Sequence, residues 1–134
     1  MAELPLHDGM PDRSQSLYQT LGEQTFRSLV EAFYRRIDAD PFLRPLFTAD
    51  LSDAIDRQFW FLVQLFGGPP LFNERRGPPF MRMRHLPFAI GMPERDAWLA
   101  HMLAAIDEVA IPEAEAEVLR AYFDRSSLAM INRR

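Results

Sequence analysis

From Gln24 to Ala39, residues Phe26, Leu29, Val30, Phe33 and Ile37 recur three and four apart, the spacing of one face of an α-helix. A stripe with that period cannot face one side of a sheet, because strand side chains alternate every second residue. The same period returns three more times. Leu51 to Phe66 carries Leu51, Ile55, Phe59, Leu62, Leu65 and Phe66, with Trp60 and Phe61 beside them. A third helix is predicted from about Pro93, with Trp98, Met102, Ala105, Ile106 and Val109 inward. A fourth opens at Pro112, with Leu119, Tyr122, Phe123, Ser126 and Met130 inward. The punctuation agrees. Asp38, Asp40 and Pro41 stop the first stripe, and Gly67-Gly68-Pro69-Pro70 stops the second. Proline followed by acids (Glu94 and Asp96, Glu113 and Glu115) suits the first turns of the other two.

The chain therefore reads as all-α, with two long antiparallel pairs. A short helix is expected over Ser16 to Leu21 and a tight helical turn within Pro41 to Phe47. Residues 67–80, with two Gly-Pro breaks, read as one long connecting loop. Residues 1–15 read as a flexible tail and 16–134 as one domain, the size expected for a single core.

Composition removes several kinds of chemistry. The chain has no cysteine, which excludes disulfides, thiolate zinc sites, iron–sulfur clusters and cysteine nucleophiles. All 15 basic residues are arginine, so lysine Schiff-base chemistry is absent. A net charge of −4 argues against nucleic acid as partner, although Arg75, Arg76, Arg82 and Arg84 form a local basic patch. No apolar run reaches the ~18 residues of a membrane span. The first ten residues lack a basic and then an apolar signal region, so a cytoplasmic protein is expected.

Three residues with polar tips fall on the inner faces of three different helices: Tyr34, Gln58 and Trp98. Tyr and Trp are common core residues that send the polar tip to a carbonyl or water. A buried Gln needs partners, or a pocket to face. Between the helices of Gln58 and Trp98 lies Phe80-Met81-Arg82-Met83-Arg84-His85-Leu86-Pro87-Phe88-Ala89-Ile90. Imidazole is the commonest protein ligand for a metal. A histidine among apolar residues also serves as a packing residue, and the residues alone leave both roles open. His101, one turn after Trp98, reads as structural, and His7 falls in the tail.

The sequence resembles the truncated haemoglobins, specifically group II, over about residues 16–132. The resemblance rests on Phe33-Tyr34, Phe47, Phe66-Gly67-Gly68-Pro69, Arg82-Met83-Arg84-His85-Leu86-Pro87-Phe88-Ala89-Ile90 and Glu94-Arg95-Asp96-Ala97-Trp98-Leu99. The Arg-His-x-Pro-Phe-x-Ile run followed by Arg-Asp-Ala-Trp is its specific part. It implies a truncated globin fold, a two-over-two α-helical sandwich around haem b (iron protoporphyrin IX). It makes His85 the proximal iron ligand and Tyr34, Gln58 and Trp98 the residues that act on the distal ligand. Phe47 packs on the haem, and Ala54 takes the place where other globins carry a distal histidine. Arg57 and Arg84 match propionate-side positions, and Phe61, Leu62, Met81, Phe88 and Ile90 complete the cofactor contacts. Two positions depart from the pattern. Gly22-Glu23 replaces the early Gly-Gly of many members, and Phe72 stands where some have a propionate-binding tyrosine.

The chemistry matches these placements. A neutral imidazole binds iron through one nitrogen while the other donates to a carbonyl, and Pro87, by breaking the helix, would free such a carbonyl. Three donors around bound dioxygen, each worth about 1 kcal/mol, would slow its release by about one to three orders of magnitude. The expected function is reversible but tight oxygen binding at a five-coordinate iron, with nitric-oxide dioxygenase or peroxidase-like activity beside it. The small partners are dioxygen, carbon monoxide, nitric oxide or peroxide, and an unidentified reductase restores the iron; neither nucleic acid nor membrane is a partner. The alternative is a haem-based or apo globin-like sensor or interaction domain.

Overall fold

The computed structural model describes residues 16–133, so the expected tail lies outside the described residues. Seven α-helices and one 3₁₀ turn make up the described chain: α1 (Leu17–Leu21), α2 (Glu23–Asp38), the 3₁₀ turn (Arg44–Leu46), α3 (Ser52–Leu65), α4 (Leu71–Arg76), α5 (Met81–His85), α6 (Met92–Glu108) and α7 (Glu113–Ala129). The four long helices are the four predicted stripes. The expected 67–80 loop is not structureless: α4 occupies its middle, because Leu71 and Phe72 find an apolar surface and Phe72 is buried against Phe61 of α3.

α2 is the central element, packed on both α3 and α6, while α6 packs on α7. Phe26, Leu29, Val30, Phe33 and Ile37 of α2 are fully enclosed. Removing such a side chain from water is worth about 1.5–3 kcal/mol. On α3 the observed stripe is Ala54, Phe59, Leu62 and Val63, and Leu65, predicted inward, is 43% exposed. The helical angle explains the shift. At ~100° per residue, Phe59, Leu62, Val63 and Phe66 share one face, and Leu65 lies well round from its centre. On α7 Leu119 and Phe123 are buried as predicted, but Ser127, not Ser126, continues the face, accepting from Arg95 Nε at 3.0 Å and donating to the Asp124 carbonyl at 3.1 Å.

Caps and close approaches fix the ends. Ser16 and Gln19 form a reciprocal capping box on α1. Asp50 accepts from the Ser52 amide at 2.9 Å where α3 begins, and that bond holds its carboxyl below the usual range. After α3 the chain turns at Gly67, φ +101, where an added Cβ would sit 2.3 Å from the Cβ of Ser16. Only glycine fits so close a crossing. α5 starts from Phe80, held at φ 43 and ψ 51, an uncommon conformation for an aromatic residue.

Candidate functional site

The three residues expected on the distal side lie on three helices, Tyr34 on α2, Gln58 on α3 and Trp98 on α6, and α2 packs on both of the others. Tyr34 lies at the edge of the α2 stripe, 7% exposed, with its ring edge-on to Phe33 (4.9 Å between centroids) and to Phe47 (5.7 Å). Trp98 of α6 meets the same Phe33 at 5.1 Å and Phe123 of α7 at 5.8 Å. Tyr34, Phe47 and Trp98 are thus parts of one aromatic cluster. Among the described residues, neither the Tyr34 hydroxyl nor the Trp98 indole N–H has a hydrogen-bond partner. Burial pushes the Tyr34 phenol well above its ordinary value, while the nearby Arg57 guanidinium pulls weakly the other way. The phenol therefore keeps its proton at any physiological pH and remains a donor.

α3 presents a second face here. Ala54, Gln58, Phe61 and Leu65 are spaced four, three and four apart, which places them along one line beside the core stripe. Ala54 is buried, and the Gln58 Oε1 atom is buried with no hydrogen-bond partner. A buried polar atom left unpaired costs about 1–3 kcal/mol, and such atoms are rare in native proteins unless a ligand or water completes them. Leu62 belongs to the core, while Phe61 turns edge-on to Phe72 at 5.9 Å. Phe72 is itself buried, so this position offers no surface contact where some family members carry tyrosine.

His85 closes the one-turn helix α5. Its Nδ1 lies 2.6 Å from the Met81 carbonyl oxygen. A carbonyl can only accept, so Nδ1 donates and Nε2 is left with its lone pair, the form that binds a metal. The acceptor differs from the one Pro87 led us to expect, since it lies one turn before His85. Around it, Phe80, Met83, Leu86 and Phe88 are among the large exposed hydrophobic residues of the protein. An apolar patch of that size on a short segment marks a surface that something covers. No hydrogen bond joins His85 to Tyr34, Gln58 or Trp98.

The arginines are held differently. Arg57 pairs with Asp53 one turn earlier at 3.0 Å. Arg84 sends Nε to the Pro79 carbonyl (2.5 Å) and Nη2 to those of Arg76 and Pro78 (3.1 Å each), with its guanidinium over the Phe72 ring. Its Nη1 has no such bond. His101 is the structural residue expected: Nε2 meets Asp40 Oδ2 at 2.7 Å, tying α6 to the turn after α2. Arg95, one of the residues on which the resemblance rests, joins α6 to α7 through Ser127 and Asp124.

One participant was not foreseen. Asn132, after α7, donates through Nδ2 to the carbonyls of His85 (3.3 Å) and Phe88 (2.8 Å), and its Oδ1 accepts from the Ile90 amide at 2.9 Å. A lone polar residue after a helix end carries no signal in sequence.

These residues fit a haem. The Nε2 of His85 is free to ligate, an apolar surface surrounds it, and Gln58 and Tyr34 hold polar atoms in reserve. Among the described residues no cluster of three or more potential metal-ligating His, Asp and Glu side chains occurs. No described helix is long and apolar enough to cross a membrane.

Comparison with known proteins agrees. The family model for bacterial-like globins matches residues 16–132. A group 2 truncated hemoglobin of Bacillus subtilis is 39% identical over 115 residues, covering 86% of this chain and 87% of that protein. The hemoglobin of Chloroflexus aurantiacus superposes with a TM-score of 0.87 at 52% identity, over 89% of this chain and 99% of that one. A truncated haemoglobin from B. subtilis, described as oxygen-avid, gives 0.85 at 38% identity, over 88% of this chain and all of that one. The helical order and these superpositions make the fold the two-over-two globin sandwich. The chain belongs to the bacterial-like globin family and, within it, to the group II truncated haemoglobins, a family whose members bind oxygen through haem.

Proposed function

We propose that this protein holds dioxygen tightly at a haem b carried by His85, and that Tyr34, Gln58 and Trp98 do the holding. Haem supplies the iron that takes up diatomic ligands. The chain supplies everything that sets their residence time. The observation that carries the reading is Tyr34, a buried residue whose hydroxyl is kept protonated and donates to nothing in the described chain. A donor on a buried residue with no acceptor of its own is available to a ligand that brings one. Trp98 adds an indole N–H to the same cluster, and Gln58 adds an amide with an unused buried oxygen.

Ala54 has no ligating atom, so His85 would be the sole protein ligand of the iron, leaving room for the small ligand. Arg84, fixed through Nε and Nη2, would offer Nη1 to a propionate, and Arg57, on α3, would serve the same role. Met81, Phe88 and Ile90, from the His85 segment, would contact the haem, as would Phe47 and Phe61. Slow release favours oxygen storage or its reaction with nitric oxide, or peroxide turnover, over delivery. Such turnover needs an electron donor, and a cytoplasmic reductase fills that role.

A Soret band in protein expressed with haem supply is expected, and its absence would favour an apo interaction domain, for which the exposed Phe80, Met83 and Leu86 would be the contact surface. Stopped-flow oxygen release then tests the holding mechanism. Release from the wild type as fast as from the Tyr34→Phe, Trp98→Phe double variant would refute it.

A further inference from the structure

We infer that Asn132 is a positioning residue for the proximal histidine. The inference rests on the haem-ligand reading of His85 and concerns how that ligand is aimed. An imidazole is oriented by whatever holds its other nitrogen and its backbone. The ring is held by the Met81 carbonyl at 2.6 Å. The peptide that carries it is held by Asn132, whose Nδ2 reaches the carbonyl of His85 itself at 3.3 Å and that of Phe88 at 2.8 Å. The same amide's oxygen takes the Ile90 N–H at 2.9 Å. One side chain thus spans the whole turn that follows α5, from the ligand to the start of α6. An amide is the one small side chain with both donors and an acceptor, and all three roles are used here.

The backbone strengthens the placement. The amides of Asn132 and Arg133 both donate to the Ile90 carbonyl, at 2.8 and 3.0 Å. The segment after α7 is therefore docked on the turn by main-chain bonds that do not depend on the side chain at 132. Nothing else in the described chain bonds the carbonyl of His85 from a distant element. α5 is a single turn, too short to hold its own direction, since an isolated helix of this length does not form in water. The ring's aim consequently depends on contacts from outside, and Asn132 is the one that touches the ligand residue's own peptide. Loss of such outer partners typically weakens metal sites about 10–100-fold.

The test uses Asn132→Leu, which keeps the size and loses every polar contact, and Asn132→Asp, which keeps the acceptor for Ile90 and loses both donors. The iron–imidazole stretching band of the ferrous protein, read by resonance Raman, is the decisive signal, because a purely structural residue would leave its frequency alone. Both variants should shift or broaden the band and release haem to an acceptor globin about tenfold faster. Asn132→Asp should resemble Asn132→Leu in the band, since the donors to His85 and Phe88 are what matters. An unchanged band and unchanged haem release in both variants would overturn the proposal. Absence of the band from the wild type would instead refute the role of His85.

Discussion

The Nδ1 of His85 lies 2.6 Å from the carbonyl oxygen of Met81, four residues earlier and at the first position of the same helix. The helix is one turn long, and the imidazole folds back onto the carbonyl at its start. That bond fixes the tautomer and leaves Nε2 outward. Replacing His85 by Gly should abolish normal haem retention, and added imidazole should restore a Soret band by standing in for the lost ring. Titrating imidazole into the variant checks this, and a normal spectrum without imidazole would remove His85 from the iron.

Tyr34 and Trp98 come from α2 and α6 but share Phe33 as a packing partner. Each donor is worth about 1 kcal/mol, or roughly a fivefold change in oxygen release. Tyr34→Phe and Trp98→Phe should each speed release by that order, unequally because burial differs. The double variant should be non-additive, since neighbouring donors serve one acceptor. Carbon monoxide is a poorer acceptor, so its release should change less in the same stopped-flow series.

Arg84 is committed to three carbonyls of the 76–79 turn through two of its nitrogens. Lysine carries the charge but not the planar fork. Arg84→Lys should therefore release haem faster and lose about 1 kcal/mol of stability, like Arg84→Gln. Haem-transfer rates and urea unfolding measure the two effects separately. If Lys behaves as Arg, charge alone is what the site uses.

The carboxyl of Asp40 is held below its ordinary value of 3.8, first by the hydrogen bond from His101 and then by the amides of Phe42 and Leu43. The folded protein thus binds fewer protons at this site than the unfolded chain. The contribution is complete above about pH 3.8 and is lost as pH falls through the depressed value. Asp40→Asn should destabilise the protein at neutral pH, and the difference from wild type should shrink on acidification below that point. Urea midpoints across pH 3 to 7 give the comparison, and a constant difference would mean Asp40 acts without its charge.

The α2 stripe was legible in sequence because Phe26, Leu29, Val30, Phe33 and Ile37 all face inward, and periodicity reports burial directly. On α3 the same rule misplaced Leu65. That helix serves two surfaces, and Ala54, Gln58, Phe61 and Leu65 follow a period of their own beside the core stripe. α4 escaped notice because a six-residue helix has too few turns to show a period. Tyr34, Gln58 and Trp98 stood out because polar tips on apolar faces need a reason. Asn132 and the Met81 carbonyl did not, since a main-chain acceptor leaves no mark in sequence and a single asparagine is found at many helix ends.

Phe80 sits in the left-handed region at φ 43, where a bulky side chain is strained, and it launches the helix that ends in His85. Strain at a helix start, one turn of helix, and ties supplied by distant side chains describe a unit that can come undone while α2, α3, α6 and α7 stay packed. Exchange of the cofactor therefore need not wait for global unfolding. Local melting of a few residues would then set its rate, and a warmed protein would shed its haem before its long helices are lost.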